Sequence, residues 1–540
     1  MTTITATPAA PAIPTYAPEA VREALRNRDE IALIDVREED PFAREHPLWA
    51  ANFPLSRLEL DAWARIPRRD TLIVVYGEYA GTDLAPRAAT VLRELGYSRV
   101  HRLEGGLRAW IDGGGEVFRD VNVPSKAFGE VVEAKRHTPS LAAEEVQALI
   151  DSQADVVIVD ARRFDEYQTM SIPTATSVPG AELVLRVREL APDPHTRVIV
   201  NCAGRTRSII GTQSLVNAGI PNPVAALRNG TIGWTLAGQQ LDHGASRRAP
   251  AAVSDANRDS ARRGAREIAD RAGVRRIALA QLDSLQQPSR TVYRFDVRTP
   301  EEFADGHLPG FVNAPGGQLV QETDHNAPVR GARIVLADDD DVRASMTGSW
   351  LAQMGWEVWV VEPVAAAARS ETGAVAAPVP SSAPVPSVGA AQLAAWLASE
   401  DGATAVLDFT ASANYVKRHI PGAHFVIRAQ LADALPRIGQ PKRYVLTCGT
   451  SLLARFAAAD LRRLTDAEVL VLEGGTQAWI AAGLPLEHGE TRLASERTDR
   501  YRRPYEGTDN PREAMQGYLD WEFGLIAQLE RDGTHGFTVV

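Results

Sequence analysis

Four times along this chain an apolar stretch runs into an aspartate: Ile34-Asp35, Val159-Asp160, Phe295-Asp296 and Leu407-Asp408. Arg37, Arg162 and Arg298 follow two residues on in three of them, and Thr410 stands there in the fourth. A Pro/Gly element comes next in three repeats, at Ser171-Ile-Pro173, Gly306-His-Leu-Pro-Gly310 and Arg418-His-Ile-Pro-Gly422. A second apolar strand and a helix ending at glycine follow. Three repeats close on a Gly-rich turn with a tryptophan: Leu103-Glu-Gly-Gly106 with Trp110, Leu227-Arg-Asn-Gly230 with Trp234, and Leu472-Glu-Gly-Gly475 with Trp479. Repeat three has Val361-Glu-Pro-Val-Ala in that place and is the most degenerate copy. The period is too long for a solenoid and right for whole domains, each an α/β unit.

The aspartates fix the register. From Asp160 to Cys202 is 42 positions, and the same step leads from Asp35 to Gly77 and from Asp296 to Asp338. From Asp408, the strand Tyr444-Val-Leu-Thr447 reaches Cys448 two residues sooner. Two repeats therefore carry a cysteine at the end of the second strand, and two do not.

Cys202 has the fuller setting. Val198-Ile-Val precedes Asn201 and Cys202 and suits a strand covered on both faces of a parallel sheet. Ala203-Gly204-Arg205-Thr206-Arg207-Ser208 then leads into a helix that stops at Gly219-Ile-Pro221, with Ser208 read as the N-cap. The cysteine falls at the carboxyl edge of the sheet, where open α/β folds hold their ligands. Backbone N–H groups turning toward a helix N-terminus form an anion nest. With Arg205 and Arg207 beside it, the thiol is expected to titrate below the ordinary value of about 8.5 and to act as a nucleophile. A structural buried cysteine is the plainer reading, but it has no need of two arginines and a glycine in the next five residues.

The strand, the Cys-x-Gly-Arg-x-Arg loop and the helix after it resemble the active-site loop of the rhodanese-like sulfurtransferases. The resemblance extends over all four repeats. It implies four tandem α/β domains, each a small parallel sheet flanked by helices, and a cysteine that accepts sulfane sulfur as a persulfide. It assigns Cys202 as the catalytic residue and 203–208 as the loop that binds the substrate. Asp160 and Arg162 are read as structural support, since a strand-end carboxylate paired with a guanidinium orders the loops beneath the site. Two-domain members of the family set an inactive half against a cysteine-bearing half. The order Gly77, Cys202, Asp338, Cys448 gives that arrangement twice, repeat one with two and repeat three with four. Glu166 stands where those enzymes often carry a basic residue, which disfavours a dianionic donor such as thiosulfate.

Boundaries follow from composition. The repeats span 16–120, 138–244, 263–363 and 389–490, with a tail at 491–540. Residues 245–262 form a polar connector, partly helical. Residues 364–388, rich in Pro, Ala and Ser, read as an extended linker. In the tail, Asn510 is read as the cap of an amphipathic helix through Leu529, which packs on a domain or joins two copies of the chain. A net charge of −11 argues against nucleic acid or an anionic membrane as partner. The first residues have neither a basic nor an apolar signal segment, no apolar run reaches membrane length, and two cysteines in 540 residues fit a reducing compartment. The expectation is a cytoplasmic protein without cofactor. Histidines such as His243, His307, His419 and His488 lack paired metal-ligand spacing and are read as solvated.

The leading function is sulfur transfer from thiosulfate, a persulfide or a similar donor to a thiol or cyanide. A scaffold or persulfide sensor is the alternative, given the two repeats without cysteine. A phosphatase or arsenate reductase ranks lower. Those need a Cys-x5-Arg loop, and Cys202 to Arg207 is Cys-x4-Arg. Cys448, in Cys448-Gly-Thr-Ser451, has no arginine in its loop; it is read either as a second, slower nucleophile, a sulfur relay or a vestige, or equally as an inert semi-buried cysteine, with Ser451 as helix cap.

Overall fold

The structure is a computed structural model that describes residues 12–399 and 402–540. The N-terminal segment read above for targeting signals lies mostly outside the described residues. Four five-stranded sheets follow one another, every strand parallel to its neighbours. In repeat two the order runs Thr176–Ser177, Val156–Asp160, Arg197–Asn201, Val224–Leu227, Ser140–Leu141. The two central strands pair from Arg197 against Val156 to Asn201 against Asp160. Val198, Ile199 and Val200 are fully buried between layers of helix, as an unbroken apolar run requires.

The Asp-x-Arg element locks each strand end. Arg162 donates to both carboxylate oxygens of Asp160, at 2.9 and 2.8 Å, and to the Met170 carbonyl. Arg37 and Arg298 repeat the pattern onto Glu45 and Gly306. All three pairs are buried, so each charge is compensated where it stands. Trp110, Trp234 and Trp479 are core residues whose indole N–H groups donate to the carbonyls of Glu116, Gln240 and Pro485. His307 and His419 are buried rather than solvated, stacked on Phe303 and Tyr415. His243 and His488 are exposed.

Three connections differ from a simple string of domains. Helix Val123–Arg136 joins repeats one and two and lies against helix Thr206–Asn217. Helix Asp255–Arg271, which begins inside the expected connector, packs on Leu183–Leu190 and Arg343–Gln353. The C-terminal helix, Arg512–Asp532, starts after Pro511 rather than at an Asn510 cap, since Asn510 donates to Glu506 instead. Its apolar residues Met515, Leu519, Leu525 and Leu529 are buried against Val123–Arg136 and Gly230–Leu236. The face that suggested a contact between copies is thus covered within the chain.

The repeats pair in a nested order, not in sequence. The turn Gly180–Glu182 of repeat two meets Gly316–Gln321 of repeat three. The equivalent turn Leu55–Arg57 of repeat one meets Arg428–Gln430 of repeat four. Arg343 crosses the first interface to Glu182 at 2.9 Å, and Arg428 crosses the second to Glu59 at 2.6 Å. Each cysteine-bearing repeat still faces one without, but repeat two faces three and repeat four faces one. The 364–388 stretch holds one short turn, Ala366–Ala368, before the strand Ser387–Val388, and leaves repeat four free to reach back.

Candidate active site

Asn201 ends its strand and ties the loop down by donating to Asp160 Oδ2 at 2.9 Å. The loop then turns on 203–205, and the helix begins at Thr206 with Arg205 as N-cap. Ser208 is therefore inside the first turn, not the cap. Its hydroxyl lies 3.4 Å from Cys202 Sγ and donates to the Arg205 carbonyl.

The closing Gly-rich turn braces this loop. Thr231 N–H donates to the Cys202 carbonyl at 2.9 Å, and Ile232 N–H to that of Ala203 at 3.0 Å. Gly230 has φ +53, and a Cβ there would lie 2.3 Å from the Cys202 oxygen. Gly475 holds Cys448 in the same way, with a Cβ 2.2 Å from its oxygen. The glycine is required by close approach of two backbones and by left-handed conformation together.

The two arginines part company. Arg205 points away from the sulfur to Glu130, at 2.8 and 2.9 Å, with Glu133 and Asn229 beside them and the Phe523 ring across it. Arg207 is the cation that acts on the thiol, held from behind by Glu166 at 2.7 and 2.9 Å. Glu166 thus positions the guanidinium. Burial pushes the Cys202 thiol up, against Arg207 and the hydroxyl and N–H of Ser208, with Glu522 adding to the rise. The expected depression of this thiol is overturned, because Cys202 is 2% exposed and one of its two cations is spent elsewhere.

What buries it is the C-terminal helix. A Cβ on Gly204 would meet the Tyr518 ring at 3.1 Å and Glu522 Oε2 at 3.4 Å. Lys126, paired with Asp120, sits under the rings of Tyr505, Tyr518 and Trp521. Glu522 is pushed up to about 8, mainly by burial. This cover is far from the loop in sequence and left no local signal.

The other repeats show what replaces the nucleophile. A side chain at Gly77 would strike Val36 Cγ2, 2.5 Å from a Cβ, so repeat one has no room for one. In repeat three, Asp338 accepts from the N–H groups of Asp341 and Ala344, both at 2.9 Å. Its own carboxyl group, pushed up by burial and by Asp340, fills the nest in place of a sulfur. Arg343, five residues on, pairs with Glu302 as Arg207 does with Glu166. In repeat four Cys448 is 6% exposed, and Ser451 stands at the cap position in left-handed conformation with its hydroxyl turned to the Leu472 carbonyl.

The pattern that defines the rhodanese-like domain matches at residues 17–112, 142–237, 279–363 and 390–482, more than half of the chain. The chain belongs to the rhodanese-like domain family. A solved thiosulfate sulfurtransferase of Pseudomonas aeruginosa is 66% identical, with a TM-score of 0.96, over 98% of this chain and 100% of that one. An uncharacterized protein of Synechocystis is 31% identical over 117 residues, and an HTH-type transcriptional regulator of Mycobacterium tuberculosis 33% over 91 residues. These regions span 22% and 17% of this chain, and 63% and 39% of the two relatives. Among the described residues no helix of this rhodanese-family chain is long and apolar enough to cross a membrane, and no cluster of His, Cys, Asp or Glu is arranged to hold a metal ion.

Proposed function

We propose that this chain is a sulfurtransferase that carries sulfane sulfur as a persulfide on Cys202, taking it from thiosulfate or a persulfide and passing it to a thiol or cyanide. The observation that carries this reading is the convergence on one sulfur atom of the Ser208 N–H with the Arg207 charge, the Ser208 hydroxyl accepting from the thiol. Such a nest stabilises the thiolate that attacks and, after transfer, the terminal sulfur anion. The likeness to the Pseudomonas thiosulfate sulfurtransferase over nearly the full length supports the same chemistry. Thiosulfate remains an eligible donor because Glu166 is spent on Arg207 and presents no free charge to it. Reaction requires the C-terminal helix to part from the loop, since Tyr518 and Glu522 close over Gly204. The test is thiocyanate formation from thiosulfate and cyanide, lost in Cys202→Ser. Full turnover in that variant refutes the assignment.

A further inference from the structure

The two cysteines differ in what stands before them. Arg207 and Glu166 span the front of the Cys202 loop, and the equivalent positions in repeat four are Leu453 and Asn414. At the interface of repeats two and three the cavity is about 40 Å³, room for little more than a water. Between repeats one and four it is about 570 Å³. Cys448, Leu453 and Asn414 line one wall, Ser56 and Glu38 of repeat one the other, and Asp499 of the tail borders it. That volume suits an organic ligand and far exceeds what an inorganic sulfur oxyanion fills.

The charges of this cleft are not balanced. Arg57 is taken by Asp61 at 2.8 Å, Arg503 by Glu39 at 3.2 Å, and Arg428 by Glu59 and Asp460. Arg65 donates to the carbonyls of His325 and Asn52 and forms no ion pair among the described residues, with Asp61 and Asp324 opposing its charge from farther off. Among the described residues no guanidinium is bonded to Glu38 or Asp499, and burial, with Asp499 nearby, pushes Glu38 up to about 7, so Glu38 carries its full charge only above that pH. Glu38 is 7% exposed, and among the described residues its carboxyl group accepts only from Ser56. Asp499 takes Ser412 N–H on one oxygen, and the other is buried without a partner among the described residues. Phe42 and Phe409 add aromatic rings to the same lining. Carboxylates left without a cation favour a positively charged ligand and disfavour a dianion.

We infer that this cleft is a second substrate site, where Cys448 exchanges sulfane sulfur with an organic thiol or persulfide carrying a positively charged nitrogen. The inference rests on the sulfur-transfer reading for its chemistry, while the cleft and its charge stand without it. The Cys448 thiol gives its proton to solvent, and the thiolate attacks the outer sulfur of the persulfide. The S–S bond breaks, its electron pair leaves with the donor thiolate, which takes up a proton, and Cys448 keeps the sulfur. An acceptor thiolate reverses the step, and no oxidant is consumed.

The test labels the full chain carrying Cys202→Ser with two methanethiosulfonates of similar size, one bearing a trimethylammonium group and one a sulfonate. Peptide mass follows modification of Cys448, and a free thiol corrects for intrinsic reactivity. The cationic reagent is expected to react about tenfold faster or more. Asp499→Asn, which keeps the acceptor for Ser412, and Glu38→Gln should each reduce that preference several-fold. Equal rates, preference for the sulfonate, or an unlabelled Cys448 would overturn the inference. Because Cys202 is absent from this assay, failure here is separate from failure of the Cys202 persulfide.

Discussion

Replacing Glu522 with Gln isolates the cost of burying a carboxyl group over the Cys202 loop. The Tyr518 hydroxyl donates to its Oε1 at 2.8 Å, while Oε2 is buried without a partner among the described residues. Burial is the largest influence, Glu130 reinforces it, and Lys126 and Arg205 oppose it, leaving the group pushed up to about 8 from 4.5. The unfolded chain loses this proton near pH 4.5 and the folded chain keeps it until about pH 8, so stability falls as pH rises through that window. Roughly three and a half units at about 1.4 kcal/mol each give a penalty on the order of 5 kcal/mol at the alkaline end. Glutamine keeps an acceptor for Tyr518 and has no proton to lose. Hydrogen exchange across Arg512–Asp532, measured by mass spectrometry, reads opening of the helix. Between about pH 6 and pH 8.5 the protection of Glu522→Gln relative to wild type is expected to grow at least about tenfold. A ratio that does not change with pH would refute the reasoning.

Three further outcomes follow from the geometry. Arg207→Ala should raise the Cys202 thiol further and slow its alkylation at neutral pH, while Arg205→Ala should leave the alkylation pH profile in place, since Arg205 is bound to Glu130 and Glu133. A shift of equal size in both variants would contradict the split. Gly230→Ala forces a Cβ to 2.3 Å from the Cys202 oxygen in a left-handed conformation, and about 1–3 kcal/mol of stability should be lost in thermal or chemical denaturation. Gly77→Cys should destabilise repeat one against Val36 and yield no third persulfide by peptide mass.

The strands, the register and the loop were legible because they are local. Val198-Ile-Val, Asp160 with Arg162, and Gly230 with Trp234 each declare their role within a few residues. Which arginine faces the sulfur was not legible. Arg205 and Arg207 lie two positions apart, and their directions depend on where the helix begins and on Glu130 and Glu166, dozens of residues away. One signal could have separated them: Glu302 and Arg343 recur in repeat three at the same offsets as Glu166 and Arg207. The nested pairing and the helix over Gly204 rest on contacts between distant segments, such as Glu59 with Arg428. Periodicity and turn residues carry no record of those.

Peptide mapping of the wild-type chain after brief exposure to thiosulfate, with alkylation omitted until sulfur loading is complete, tests persulfide formation at Cys202 most directly. One added sulfur on the peptide that contains Cys202, released by cyanide as thiocyanate, is the predicted result. Sulfur carried by the Cys448 peptide alone, with Cys202 unloaded in a chain that turns over thiosulfate, would contradict it.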